Sequence, residues 1–251
     1  MPILLHRFRF GLLLLLSWGC PLGGWAQEDD LSWAVLQPER DSRAADVRVY
    51  DELDSKVLVQ GMNETEDVFH HHLVWSKVAI KDLLKVSVSF CELRFDAVEP
   101  LILTDEEKAI VREYLARGGF ILFVEDAYPY TQDECWRVKE WPVIDFLTKE
   151  LPASSPDFKV EKVTDAHPLF HQYFDTETAD MIKHELQGNP YTPNRTLLMY
   201  KARPCAFVYG RYYLIEDGKW AAMPRPFAAD FSRDPKSYQL AVNIYVYAAM
   251  H

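Results

Sequence analysis

The sequence lacks the short motifs that identify several large enzyme classes. It has no G-x-S-x-G nucleophile turn, no H-E-x-x-H zinc motif, no G-x-x-x-x-G-K-[ST] phosphate loop and no G-x-G-x-x-G dinucleotide loop. The sequence therefore lacks the usual signatures of standard serine hydrolases, zinc proteases, nucleoside triphosphatases and dinucleotide-dependent enzymes. Internal repeats and low-complexity tracts are also absent, so a single domain is the simplest organisation.

Basic charge is scarce as well. The 251 residues include 27 Lys and Arg against 38 Asp and Glu, which gives a formal net charge of −11. Affinity for nucleic acid is built from clustered Lys and Arg that displace counterions, so this charge argues against nucleic acid and against anionic membrane surfaces as partners. Hydrophobic residues make up 49% of the chain, which predicts a folded globular protein.

Residues 1–26 have the three-part form of a secretory signal peptide. Basic residues precede a short apolar run, and the small residues Gly24 and Ala26 stand where a signal peptidase would cleave before Gln27. The apolar run is short for a membrane span. We therefore expect an exported protein, periplasmic or extracellular, without a stable membrane span after cleavage. A lipoprotein processed at Cys20 is the less favoured alternative.

Cysteines are few, and cleavage would leave Cys91, Cys135 and Cys205. An odd number in an oxidising compartment allows one disulfide and one buried thiol, and the pairing stays open. Because no C-x-x-C pair is present, three small buried hydrophobic residues are favoured over a zinc site.

The clearest local pattern is a helix followed by a buried strand. Thr104 and Glu107 form a capping box ahead of an apolar stripe at helical spacing, and Gly118-Gly119 supplies a left-handed helix end. The run 120–124 is apolar without alternation, which is typical of a parallel strand buried on both faces. Further helices are predicted at 141–151 and 238–250, and further strands at 158–163, 197–201 and 206–215.

The alternation of helices and strands predicts an α/β fold with a doubly wound, mostly parallel sheet and helices on both faces. Residues 27–84 are expected to form a lead-in with the first strands, and residues 85–251 the main domain, which forms one compact unit with 47–84. In the lead-in region the patterns predict an extended segment at 27–46, strands at 47–50 and 56–60, a short helix at 78–84 and a strand at 85–90.

Two acidic residues follow the predicted strand 120–124. In open α/β sheets, ligands bind beyond the carboxyl ends of strands, and Glu125 and Asp126 stand at such an end. They could bind a cation, orient a hydroxylated ligand, or act as acid and base. The alternative is that one caps a turn and the other is solvated.

A second cluster surrounds Pro168. If Pro168 opens a helix, His171 sits one turn from His167, and these imidazoles could share a metal with Asp165. The favoured interpretation is structural, with Asp165 as a helix cap and His167 as a hydrogen-bonded turn residue. The run His70-His71-His72 lacks flanking ligands at a suitable spacing. No metal or other cofactor is therefore expected, and a divalent ion is the alternative.

The segment 101–126, with its capping box, double glycine, strand and acidic end, resembles the domain-of-unknown-function 4159 family. The segments 165–170, 209–215 and 241–248 fit the same family in order, so the resemblance covers residues 85–250. It implies a flavodoxin-like sheet related to class I glutamine amidotransferases. Those relatives place a cysteine nucleophile after a central strand, whereas the residues here are Glu125-Asp126-Ala127-Tyr128, so thiol amidase chemistry is not expected.

Together these observations favour an exported, non-enzymatic binding or assembly module whose strand-end cleft meets a small polar ligand or a partner protein. The alternative is a hydrolase or sugar-modifying enzyme in which Glu125 or Asp126 pairs with His167, with or without a divalent metal. The oligomeric state stays open. The expected ligand-binding residues are Glu125, Asp126, Asp165, His167 and Arg211.

Overall fold

The computed structural model describes residues 31–39, 45–64, 72–96, 101–126, 142–164, 166–175, 196–210, 213–216, 219–222 and 235–251. The helical stretch α3 has an α-helical start (Pro142–Asp145), a π-helical middle (Phe146–Glu150) and an α-helical end (Leu151–Ser154). Short 3-10 helices occupy Ile80–Lys85 and Pro168–Phe170. The other elements are β1 (Ser32–Gln37), α1 (Ala45–Glu64), β2 (Val74–Ala79), β3 (Phe90–Asp96), α2 (Asp105–Arg117), β4 (Phe120–Asp126), β5 (Phe158–Lys162), β6 (Thr196–Tyr200), β7 (Arg203–Gly210), β8 (Tyr213–Glu216), β9 (Lys219–Ala222) and α4 (Pro235–Met250).

Among the described residues, seven strands form one sheet in the order β2-β1-β3-β4-β7-β6-β5. The pairs from β2 to β7 are parallel, whereas β6 runs antiparallel to both β7 and β5. After β1 the chain adds β2 on one side of β1, and it then adds β3 and β4 on the other side. The prediction of an α/β fold with a mostly parallel sheet is therefore confirmed. Strands β8 and β9 form a separate antiparallel pair.

Helices cover both faces of the sheet. Residues of α2 and α3 share one hydrophobic cluster with β3 and β4. Residues of α1 and α4 share a second cluster with the other face of the same strands. In that second cluster the fully buried Trp33 of β1 stacks on Tyr245 of α4, with ring centroids 5.9 Å apart. The sheet is therefore the middle of three layers.

Helix α2 forms as the sequence predicts. Thr104 accepts a hydrogen bond from the amide of Glu107, and the Glu107 carboxylate accepts one from the amide of Thr104. At the other end Gly118 has φ 122°, a conformation that favours glycine. The guanidinium of Arg203, from β7, donates to the carbonyl of Leu115 in the last turn of the helix and to the carbonyls of Gly118 and Gly119 just beyond it, so this side chain holds the end of α2 against β7.

Of five predictions in the first third of the chain, two are wrong and three hold in part. The strands expected at 47–50 and 56–60 belong to α1, whose residues Leu58, Val59 and Met62 face the core at helical spacing. The extended segment 27–46 contains β1. The short helix expected at 78–84 is present as the 3-10 helix Ile80–Lys85, with residues 78 and 79 in β2, and the strand expected at 85–90 begins only at Phe90.

The later elements follow the predictions closely. β6 and β7 pair antiparallel across residues 201–202, α4 covers the predicted helix 238–250, and the predicted strand 206–215 divides into β7 and β8. The buried side chain of Asn243 fastens α4 to the segment after the second 3-10 helix. Its oxygen accepts from the amides of Tyr173 and Phe174, and its nitrogen donates to the carbonyls of Phe170 and Phe174.

No helix in the described ranges is long and apolar enough to cross a membrane.

Candidate functional site

The candidate site lies at the carboxyl edge of β1, β3 and β4. β3 and β4 run in register to their ends, where Phe95 pairs with Glu125 and Asp96 with Asp126. Glu125 and Asp126 therefore occupy the strand-end positions that the sequence predicts, although their side chains lie outside the described part of the structure. In open α/β sheets, ligands bind where the strand order turns. Here that turn is between β1 and β3.

Below this edge a buried polar cluster joins β1, α1 and β3; it consists of Trp33, Ser55, Glu92 and Arg94. One carboxylate oxygen of Glu92 accepts from the indole nitrogen of Trp33 at 2.9 Å and from the hydroxyl of Ser55 at 2.8 Å. The other oxygen pairs with Nε of Arg94, whose Nη2 reaches the Ser55 hydroxyl at 3.3 Å. Glu92 is 0% exposed and Arg94 is 3% exposed.

The alternation of β3 explains how two charges reach the interior. Cys91, Leu93 and Phe95 face the cluster formed with α2 and α3. Glu92 and Arg94 lie between them and therefore face α1 on the opposite side of the sheet. Burying a charge is costly unless it is paired and hydrogen-bonded. Every member of this cluster is hydrogen-bonded, and its two charges are paired with each other. Arg94 lies only two residues before the end of β3.

Sequence reasoning missed this cluster. The signal that could have found it was a pair of opposite charges two residues apart inside an otherwise apolar run, at Glu92 and Arg94. Residues two apart in a strand share a face, so the pattern indicates either a solvated face or a buried ion pair. The choice between these two depends on whether a helix covers this face of β3. That helix is α1, where the sequence patterns predict strands instead.

Glu107 ties together the two loops that border the edge. Its carboxylate is 3% exposed and accepts from the amide of Thr104 at 2.9 Å and from the amide of Glu39 at 2.7 Å. Glu39 follows β1, and Thr104 precedes α2. The capping box that was visible in the sequence therefore also fixes the chain just beyond β1.

His167 is the hydrogen-bonded turn residue that the favoured interpretation predicts. Its Nδ1 accepts from the amide of Leu169 at 3.2 Å, which caps the 3-10 helix. That helix spans only three residues, and His171 instead pairs with Asp175 at 2.9 Å. No cluster of three metal-ligating side chains occurs among the described residues. Asp165, Arg211, His70 and His71 lie outside them.

The structure does not bring β4 and β5 together. β7 and β6 lie between them, so the strands are separated by three interstrand spacings, or roughly 14 Å of backbone. His167, which follows β5, contacts the ring of Tyr247 on α4, with centroids 5.6 Å apart. The hydrolase alternative needs its acid and base within hydrogen-bond reach of one substrate. This strand order lends it no support.

Protonation of His167 is expected to destabilise the protein. Burial lowers the pKa of His167 from its ordinary 6.5, His251 lowers it further, and Glu161 opposes the shift. The unfolded chain therefore binds the proton more readily than the folded protein. The contribution of the neutral His167 to stability is fully present above about pH 6.5 and is lost as the pH falls through the lowered pKa. Thermal unfolding between pH 8 and pH 5 should show this loss.

The matched variant is His167→Asn, which keeps a capping side chain but does not titrate. We expect this variant to lose less stability than the wild type over the same pH range. Equal slopes for the two proteins would show that His167 does not cause the loss.

Two of the cysteines are buried free thiols, as the favoured interpretation predicts. Cys91 donates to the hydroxyl of Tyr114 at 3.3 Å, and Cys205 donates to the carbonyl of Leu198 at 3.3 Å. Burial raises the pKa of each thiol to about 12. The thiolate is the reactive and metal-binding form, so neither thiol is suited to nucleophilic or zinc chemistry. Cys135 lies outside the described residues.

The sequence profile of the family described as Domain of unknown function (DUF4159) matches residues 95–249. This range includes β4 and nearly all of α4, and it starts just after the last member of the buried polar cluster. No curated protein matches the chain. The cluster therefore lies in the part of the chain that the family profile does not reach.

Proposed function

Because this chain belongs to the DUF4159 family, whose activity its own description leaves unknown, we propose a function from the site. The protein is an exported, non-enzymatic binding or assembly module on a flavodoxin-like scaffold of the class I glutamine amidotransferase kind. It receives a small polar ligand, or a polar segment of a partner protein, at the carboxyl edge of β1, β3 and β4.

The buried polar cluster is the observation that carries this proposal. Apolar residues of similar volume would stabilise the interior as well as this ion pair does. The attraction between two buried charges often does no more than offset the cost of removing them from water. The charged pair lies on β3, one of the two strands between which the strand order turns, with Arg94 two residues and Glu92 four residues before the strand end. That turn is the usual ligand position of this architecture.

The order β2-β1-β3-β4 supports a flavodoxin-like scaffold, because the sheet of that fold has its strands in the order 2-1-3-4-5. That fold binds its ligand between its first and third strands. The antiparallel β6 departs from the all-parallel form of the fold. Residues 1–26 support export through their signal-peptide pattern.

Two features support a binding role over an enzymatic one. The hydroxyl of Ser55 is 0% exposed and already bonded to Glu92, and the thiols of Cys91 and Cys205 are buried in the protonated form. In addition, the residues after β4 carry no Cys, Ser or Thr at the position where amidotransferases hold their nucleophile.

The chemistry of the edge favours a ligand with hydroxyl or cationic groups. Asp96, Glu125 and Asp126 end neighbouring strands, and Glu39 follows β1. Carboxylates act as hydrogen-bond acceptors and as ligands for hard cations such as Ca²⁺. We therefore expect sugars or divalent ions to be better ligands than phosphates.

A panel of sugars and divalent ions, each added to the processed protein, tests the proposal by thermal unfolding. A ligand at one hundred times its dissociation constant adds about 2.7 kcal/mol, or roughly 5–10 °C for a chain of this size. We expect Asp96→Asn and Asp126→Asn to abolish this shift. Glu161→Gln, an exposed position on β5, should leave it intact. The intact mass of the same sample reports whether cleavage occurs before Gln27.

A shift that both edge variants retain would contradict the proposed location. No shift with any member of the panel would contradict the small-ligand form of the proposal and favour a partner protein at the same edge.

A further inference from the structure

The surface loop of residues 171–175, which follows the second 3-10 helix, is held in place by one buried side chain. Asn243 of α4 is 0% exposed. Its oxygen accepts from the amides of Tyr173 and Phe174, both at 2.8 Å, and its nitrogen donates to the carbonyls of Phe170 at 2.7 Å and Phe174 at 2.9 Å. These four hydrogen bonds match the full capacity of a carboxamide. A buried polar group satisfied in this way rigidifies the backbone that it holds.

The loop presents three chemically different side chains to solvent. Exposure alternates along it, and the exposed residues are His171, Tyr173 and Asp175. Nδ1 of His171 lies 2.9 Å from Oδ1 of Asp175, so the two ends of the loop meet. Residues two apart in a chain have Cα atoms within about 7 Å of each other. An aromatic ring, an imidazole and a carboxylate are therefore within reach of one small ligand.

The ring of Tyr173 is supported although it is 43% exposed. It packs edge-to-face on Phe174, with centroids 4.8 Å apart and an interplanar angle of 79°. Phe174 in turn lies 6.3 Å from the ring of Tyr238 and packs against the cluster shared with α1 and α4. A single exposed tyrosine is ordinary, but here both the ring and its backbone are held before a ligand arrives. Binding to this ring would therefore cost little conformational entropy.

The chemistry of the loop discriminates between classes of small ligand. Residues 166–175 include no Lys or Arg, and the side chain of Asp175 is 93% exposed. Phosphates and other anions are therefore disfavoured, because their usual cationic partners are missing from this segment. A neutral sugar ring fits better. Its C–H face can pack on the face of an aromatic ring, and its hydroxyl groups can donate to a carboxylate.

The exposed apolar surface around the loop is too small for a stable protein interface. Gln172 donates to the sulfur of Met250 at 2.9 Å, and Met250 is 64% exposed. In the described ranges, the other exposed large apolar side chains lie on other segments of the chain, namely Val74, Val86, Ile102 and Val160. A stable protein interface buries about 800 Å² on each partner around an apolar core. Tyr173 and Met250 alone favour a small ligand.

We propose that the loop 171–175 binds a neutral sugar ring, which packs its C–H face on Tyr173 and donates hydroxyl hydrogen bonds to Asp175. His171 holds that carboxylate in position through their hydrogen bond. The loop follows β5 and rests on α4, so this site is built from other elements than the carboxyl edge of β1, β3 and β4. Sugar binding at the loop does not depend on a ligand at that edge.

The probes are methyl β-D-glucopyranoside and cellobiose, compared with mannitol, which carries hydroxyl groups but has no ring face to pack. Amide NMR spectra of the processed protein locate the binding site. We expect the two glycosides, but not mannitol, to shift the amide signals of residues 171–175, with dissociation constants of about 1–10 mM. The amides of Tyr173 and Phe174 should exchange slowly with solvent even without sugar, because both donate to Asn243.

Variants of the ring test the stacking contact. Tyr173→Ala should weaken glycoside binding at least about tenfold, as the loss of an aromatic stacking platform does elsewhere, and this exposed position should tolerate the change. Tyr173→Phe keeps the ring and should bind within about threefold of the wild type. Val160→Ala removes a similarly exposed apolar side chain on β5 and should have no effect.

The edge variants Asp96→Asn and Asp126→Asn should leave binding at the loop unchanged. A sugar response that survives in them and is lost in Tyr173→Ala therefore belongs to the loop, which separates this site from the proposed function. The proposal is overturned if mannitol shifts the same amides equally, if Tyr173→Ala keeps the affinity, or if the shifts appear at the strand ends instead. The absence of any shift up to about 50 mM glycoside would also overturn it.

Discussion

Replacing Arg94 with alanine is expected to destabilise the protein by about 3–5 kcal/mol, because the carboxylate of Glu92 would stay buried without its cation. Glu92 would keep its hydrogen bonds from Trp33 and Ser55, but these neutral donors cannot balance a full charge in a site that is closed to water. For a chain of this size the melting temperature should fall by roughly 6–20 °C. Thermal or urea unfolding measures the loss.

The control is the double variant Glu92→Leu with Arg94→Met, which replaces the pair by apolar side chains of similar volume. Such replacements are often neutral or stabilising, so we expect its melting temperature to stay near or above that of the wild type. If the cluster shapes the carboxyl edge, this folded variant should also lose the ligand response. An Arg94→Ala variant as stable as the wild type would show that the pair is not buried and closed as described.

Local signals explain why the unit from Thr104 to Asp126 could be predicted. The capping box, the apolar stripe and the double glycine each act within one or two helical turns, and the structure reproduces all of them. The strand after them is apolar because it is covered on both faces. No distant partner is needed to read any of these features.

The first third of the chain could not be read in the same way. In α1 the valines favour strands by propensity, yet tertiary packing of Leu58, Val59 and Met62 against the sheet decides for a helix. β1 is only six residues long, and its edges are defined by pairing with β2 and β3, which follow much later in the sequence. Propensity is a weak prior wherever such packing competes with it.

The same distinction applies to the site. The position of Glu125 and Asp126 at a strand end followed from one buried run and could be predicted. The buried polar cluster could not, because its hydrogen bonds join Glu92 to residues 59 and 37 positions away, Trp33 and Ser55. Only the assembled sheet, with α1 against its face, brings these side chains together.

Gly119→Ala is expected to cost about 3 kcal/mol, near the upper end for overpacking a well-filled interior. A Cβ at this position would lie 2.2 Å from two ring atoms of Tyr114. The ring cannot easily withdraw, since its hydroxyl donates to the carbonyl of Val88 at 3.1 Å and accepts from the Cys91 thiol. Urea unfolding of the variant measures this cost.

Gly118→Ala separates this clash from backbone strain. Gly118 has φ 122°, and a Cβ added there would meet nothing within 4 Å, so alanine should cost only about 1–2 kcal/mol through strain. Removing the ring with Tyr114→Leu should abolish most of the Gly119→Ala cost in a double-mutant cycle. If Gly118→Ala destabilised the protein more than Gly119→Ala, or if Tyr114→Leu gave no rescue, the close approach to the Tyr114 ring would not be the reason that position 119 requires glycine. Rescue would show that the second glycine is needed for packing and the first for the turn.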